Sequence, residues 1–154
     1  MTKLEHIENR LHSNNVALYE FAIDDSIKAM SHIIKGRRSI ALNRGALHDR
    51  ADEVSVLAEE LGHFETGALY AITPDFNMPI VKSNRVKLEG IAKSWAYQEY
   101  CTPEEIESAF DKEGEYGDGA VAEHCGVSVI FLHRAIDYHR SCGVIFSFDK
   151  FDCA

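Results

Sequence analysis

Glu59, Glu60 and His63 are the residues whose types and spacing could do chemistry in this chain. They stand together in Leu57-Ala58-Glu59-Glu60-Leu61-Gly62-His63-Phe64. If the segment is helical, Glu59 and His63 lie four apart and project from one face, one turn from each other. A carboxylate oxygen and an imidazole nitrogen at that spacing are competent ligands for a single divalent ion. Glu60 is rotated by about 100° from Glu59, so a second carboxylate lies beside the pair, where it could take a proton from water.

The helix itself is well signalled. Val54, Leu57, Leu61 and Phe64 form one apolar stripe. Asp52 is the expected N-terminal cap and Gly67 the expected stop. The spacing matches the H-E-x-x-H helix, in which histidines at i and i+4 hold zinc and the Glu acts on water. Here glutamate replaces the first histidine. The plain alternative is a surface helix with two acidic residues in its solvated face, because Glu is a good helix former.

Other elements must position this helix. Residues 2–13 carry Leu4, Ile7 and Leu11 at helical spacing, with Thr2 and Glu5 as a capping box, so a first amphipathic helix is expected there. His6 and His12 are expected to face solvent. Short β-type runs follow at Val16–Ile23, Met30–Ile34 and Ser39–Asn43. Lys35-Gly36-Arg37 between the last two predicts a hairpin. Lys35, Arg37 and Arg38 at that turn are expected to guard a sheet edge against aggregation, with substrate binding as the lesser alternative. Beyond Gly67, Pro74, Asn77 and Pro79 mark a loop that could wall a cleft. A second long helix is predicted from Asn84 to Tyr100, with Leu88, Ile91, Ala92 and Trp95 on its apolar side. Helix and sheet segregate along the chain, so the fold class is α+β.

At this point the chain resembles a known family. Val56–Phe64 looks like the active-site helix of ImmA/IrrE-type metallopeptidases. It is similar in particular to the phage and mobile-element subgroup that carries E-E-L-G-H in place of H-E-x-x-H. The strand Ile40-Ala41-Leu42-Asn43 matches the one leading into that helix. Glu89-Gly90-Ile91-Ala92-Lys93-Ser94-Trp95-Ala96 resembles the family's E-x-x-A-x-x-[FW]-A segment. The resemblance runs from about Leu18 to about Tyr138.

It implies a minimal zincin-like domain with a small antiparallel or mixed sheet, an active-site helix and a helical C-terminal half. Glu59, His63 and Glu89 are the implied metal ligands and Glu60 the implied general base. The implied metal is zinc. The hard, anionic ligand set also suits manganese, and it suits a slow, specific protease better than a fast general one. The implied substrate is a protein, namely a helix-turn-helix repressor of a phage or mobile element.

A different class of function fits the same residues: a protein-binding module that sequesters a host or phage protein without hydrolysis. A net charge of −9 would suit a basic partner.

The C-terminal half is expected to be helical. Thr102-Pro103-Glu104-Glu105 reads as a cap, a Pro at N1 and an acidic first turn. Residues 114–119 read as a turn, and 120–128 followed by 129–139 reads as helix, tight turn, helix. Arg134 and Arg140 set against Asp137 make a poor DNA-reading helix, so direct nucleic-acid binding is the weakest reading. His133 and His139, six apart, are badly spaced for a shared metal. Residues 144–151 could form a short strand or a docked tail.

The length of 154 residues suits one domain, organised as an N-terminal helix (1–15), sheet plus metal-site helices (16–100) and a C-terminal helical element with tail (101–154). No apolar run approaches the ~20 residues of a membrane span, and no signal peptide is evident. A cytoplasmic protein whose four cysteines are reduced is therefore expected.

Overall fold

The structure is a computed structural model that describes residues 1–22, 24, 26–69 and 79–150, with backbone alone for 79–82. It is α+β. The chain divides into two compact units, Met1–Ala96 and Tyr97–Ala154.

In the first unit, α1 (Lys3–Ser13) opens on the expected capping box. Thr2 accepts from the Glu5 backbone N–H, and Glu5 in turn accepts from Thr2 N–H at 2.6 Å. Its Ile7 and Leu11 are buried, and α1 packs on α2 (Arg50–Thr66) and on β1 (Val16–Glu20). β2 (Ala29–Ile34) and β3 (Arg37–Leu42) form the predicted hairpin. Its turn places Lys35 at φ 50° and Gly36 at φ 76°, the positive pair that a two-residue hairpin turn requires.

The sheet order is β1-β3-β2, with β1 parallel and β2 antiparallel to β3. Leu18, Ile40 and Ser31 pair across the three strands and share one face. That face meets α2. β2 is an outer strand, but Arg37 and Arg38 belong to β3, the central strand, and Lys35 to the turn, so these exposed cations do not sit on the sheet edge. β1 ends at Glu20, short of the predicted run; Ile23 lies outside the described residues.

Three expectations about the long helices need correction. The N-cap of α2 is Asp49, whose carboxylate accepts from Asp52 N–H at 2.8 Å. Asp52 lies a turn further in, 6% exposed, taking Lys28 Nζ at 2.9 and 2.8 Å and the His48 N–H at 3.1 Å. A short acidic side chain before an apolar run signals a cap, but the same side chain in the first turn also favours the helix dipole. Here the Lys28 partner, invisible in the local pattern, took Asp52 inward.

The second correction is to α3, which spans Pro79–Tyr100 and so starts five residues before the expected Asn84, using Pro79 as a first-turn proline. Pro74 and Asn77, and with them the cleft-wall reading, lie outside the described residues. The third is Ile91, which is 50% exposed, while Ala92 and Ala96 are fully buried. The buried face of α3 is narrower and made of smaller residues than the hydrophobic count suggested.

The second unit holds α4 (Pro103–Glu113), α5 (Asp118–Cys125) and α6 (Val129–Ser141). Thr102 caps α4 with Pro103 at its first position, as expected. α5 begins inside the segment expected to be a turn, and Gly126 at φ 66° turns the chain toward α6. His139 is buried and its Nε2–H donates to the Cys101 carbonyl at 2.8 Å, a structural role. His133 pairs instead with Asp118 at 2.6 Å.

The chain after α6 is a docked segment rather than a strand, ending in a 3₁₀ turn at Ser147–Lys150. Phe146 is fully buried, and Phe148 stacks on Phe110 with centroids 4.0 Å apart. Among the described residues no helix is long and apolar enough to cross a membrane.

Candidate metal centre

α2 brings its apolar stripe inward as expected: Val54, Leu57, Leu61 and Phe64 are all buried. Gly67, at φ 70°, ends the helix in the left-handed conformation that glycine adopts freely. The chain turned by Gly67 supplies the first partner of the site. His63 is 5% exposed, and its Nδ1 lies 2.7 Å from the Ala68 carbonyl oxygen. A carbonyl only accepts, so Nδ1 carries a proton, and Nε2 is the ring nitrogen turned toward Glu89. Fixing one ring nitrogen on a backbone carbonyl is how metal-binding histidines are commonly oriented.

Nε2 faces α3. Glu89 Oε1 lies 3.6 Å from it, and Glu89 Oε2 lies 3.6 Å from Lys93 Nζ, one turn along the same helix. The close approach of α2 and α3 rests on Gly62. A Cβ placed there would stand 2.3 Å from the Ala92 carbonyl oxygen, so only glycine lets the helices meet at that depth.

Glu60 enters from the other side of α2. Its carboxyl accepts a short hydrogen bond from the Ser31 hydroxyl, which also lies 3.2 Å from the Glu60 carbonyl. The residue keeps part of its surface exposed, but the carboxyl itself is enclosed. Burial pushes its pKa upward, only partly offset by the Ser31 hydroxyl and the charge of His63, and Glu89 adds to the rise. At His63, burial acts to lower the pKa. The Glu89 carboxylate, the Ala68 carbonyl and the Glu60 charge outweigh it, so the imidazole titrates above its usual value.

The structure therefore gathers Glu60, His63 and Glu89. Glu59 is half-buried on the same helix. Among the described residues no three His, Cys, Asp or Glu side chains are assembled as a ready metal-holding group.

Even so, the chemistry of the donors fits a cation. Two ligands of one tetrahedral ion, with bonds of about 2.0–2.1 Å, stand about 3.3–3.4 Å apart. The separation of His63 Nε2 and Glu89 Oε1, 3.6 Å, is close to that and too long for a good hydrogen bond.

Ser31 and the Ala68 carbonyl were not found by sequence reasoning. The hydroxyl in a β-type run carried no signal without the sheet register, and a backbone carbonyl has none.

No protein-family model, no curated protein and no solved structure matches this chain.

Proposed function

We propose that this chain is a metal-dependent endopeptidase of the ImmA/IrrE type. Its substrate on this reading is a specific protein, a helix-turn-helix repressor of a phage or mobile element. One observation supports the reading above the others: His63, held by the Ala68 carbonyl, turns its Nε2 toward Glu89 at near-ligand separation, with the enclosed Glu60 carboxyl beside them.

His63 and Glu89 would hold the ion, with Glu59 as the third ligand; zinc is the expected metal and manganese the alternative. A divalent ion there supplies Lewis acidity to a peptide carbonyl and to the attacking water. Glu60, steadied by Ser31, takes the water's proton and passes it to the leaving amine. The outer strand β2 carries Ser31, so a substrate segment pairing along β2 would pass beside Glu60.

Elemental analysis of the purified protein beside His63→Ala tests the reading. About one equivalent of zinc or manganese per chain is expected in the wild type and loss of it in the variant. Glu60→Gln should keep the metal and lose hydrolysis of the repressor. A wild-type chain that takes up no metal on titration refutes the peptidase reading. The weight then passes to the acidic binding module, which would tolerate Glu60→Gln.

A further inference from the structure

The β2–β3 hairpin ends in a tip that takes no part in the site. Among the described residues β2 pairs with β3 alone, and no strand lies on its other side. Its sequence, Ala29-Met30-Ser31-His32-Ile33-Ile34, holds no Lys, Arg, Asp, Glu, Gly or Pro. Outer strands are usually guarded against pairing by charges, prolines or bulges, and an unguarded one is a template for an added strand. Ile33 and Ile34 at its end are 47% and 60% exposed.

The tip beside them is basic. Residues 26–48 hold five of the chain's sixteen Lys and Arg and none of its twenty-five Asp and Glu. Lys28 is taken by Asp52, and Arg44 by Glu20 and Glu53. Lys35, Arg37 and Arg38 are exposed, and among the described residues none of them meets a carboxylate. The register sets Ile34 opposite Arg37 and Ile33 opposite Arg38. Successive residues of a strand face opposite sides of the sheet. Each side of the tip therefore shows one isoleucine and one arginine, with Lys35 in the turn. Ser31, which bonds Glu60, lies on the Ile33–Arg38 side, about 7 Å back along the strand.

We infer that the outer edge of β2 and the tip of its hairpin dock an extended acidic segment of a partner protein. The inference rests on the reading of β2 as the strand along which a substrate lies, and adds the chemistry of that substrate. Main-chain pairing holds the segment, and its carboxylates fix the register by meeting Lys35, Arg37 and Arg38. Those carboxylates fall about two to four residues from the position beside Ser31. The net charge of −9 repels acidic chains in general. At about 0.15 M salt, however, exposed charges beyond about 8 Å are largely screened, and the tip acts alone. A nucleic acid would meet the same cations but would gain little from two exposed isoleucines. A strand with aliphatic residues between its carboxylates covers both. The DNA-reading helix of a repressor is basic, so the segment recognised in such a substrate is an acidic strand or linker outside that helix.

The experiment titrates the full metal-free chain, by fluorescence anisotropy at about 0.15 M salt, with labelled peptides of alternating Thr and Val. One peptide carries two Glu near an end, one carries two Lys there and one is unaltered; the charged pair is tried at either end. The Glu peptide is expected to bind about tenfold tighter than the unaltered one, since each exposed ion pair contributes up to about fivefold. The Lys peptide should bind more weakly than either. Lys35→Gln, Arg37→Gln and Arg38→Gln together should bring the three peptides to equal affinity. These side chains are exposed, so the triple variant should keep the wild-type urea midpoint. N-methylating alternate amides of the Glu peptide should abolish its binding, which separates strand addition from plain charge attraction.

No binding of the Glu peptide, equal binding of the unaltered one, or a preference that survives in the triple variant overturns the inference. So does full binding by the N-methylated peptide. A DNA oligonucleotide that displaces the Glu peptide and is itself released by the triple variant would also overturn it, as would a dimer of this chain from which the Glu peptide is excluded. No readout involves metal. Failure here leaves the elemental test of the peptidase reading standing, and a chain that takes up no metal yet prefers the Glu peptide keeps the docking edge without hydrolysis.

Discussion

Replacing Gly62 by alanine should destabilise this protein although alanine is the better helix former. In an open helix the change gains roughly 0.8–1.0 kcal/mol. At Gly62 the new Cβ would stand 2.3 Å from the Ala92 carbonyl oxygen, 3.0 Å from its carbon and 3.2 Å from its Cα. Carbon and oxygen rest at about 3.3 Å or more, so α2 and α3 must part by about 1 Å there. The obstructing atoms are backbone and cannot rotate away. Overpacking of this kind costs about 1–3 kcal/mol, here toward the upper end. The net loss is about 2 kcal/mol after the propensity gain, or roughly 4–8 °C in Tm for a chain of this size.

Gly90→Ala is the matched control: it lies in α3, one residue from Glu89, and its added Cβ meets nothing within 4 Å. It should stabilise by about 0.5–1 kcal/mol. Thermal and urea unfolding followed by circular dichroism measure both. Zinc titration adds a second readout, because parting the helices carries Glu89 away from His63; an affinity loss of about 10–100-fold is expected in Gly62→Ala. A Gly62→Ala protein as stable as the wild type would refute the argument that this glycine sets the depth of the site.

Further expectations concern the charges around α2. Burial holds the Glu60 pKa above the ordinary 4.5. A carboxyl raised in the folded state favours folding while protonated, and that contribution is lost as pH rises through the folded pKa. The metal-free Glu60→Gln variant should therefore have a higher urea midpoint than the wild type at about pH 7.5, the gap closing as pH falls toward the unfolded value. A gap independent of pH would refute it. Lys28→Met removes the ammonium from the buried Asp52 carboxylate and should cost about 1–3 kcal/mol in urea unfolding, moderated by the partial exposure of Lys28. A loss under about 0.5 kcal/mol would show that the pair adds little.

What was legible in the sequence was what local pattern encodes. The stripe Val54, Leu57, Leu61, Phe64 placed α2 and its inward face, and Gly67 placed its end. The Gly36 turn gave the β2–β3 hairpin, and Thr2 and Thr102 gave two helix starts. What failed depended on partners far along the chain. Asp52 was mistaken for a cap because Lys28, on the approach to β2, could not be seen to claim it. Ile91 was assigned to the buried face because hydrophobicity was counted without knowing that α3 meets α2 through Ala92 at Gly62.

At the site, the motif spacing singled out Glu59, Glu60 and His63 and the family resemblance added Glu89; of these the fold brings Glu60, His63 and Glu89 near one another. The hydroxyl of Ser31 and the carbonyl of Ala68 complete the environment. Both arrive through tertiary placement, one by strand register and one by the chain reversal at Gly67.

The joint made by Arg10 has a use beyond holding helices. Its guanidinium pairs with Glu65 at 2.9 Å and lies 4.9 Å from the centroid of the Trp95 ring. Trp95 is the chain's sole tryptophan. The protein thus carries its own optical reporter, an indole under a cation on the helix that bears Glu89, and emission excited at the red edge comes from the first unit alone.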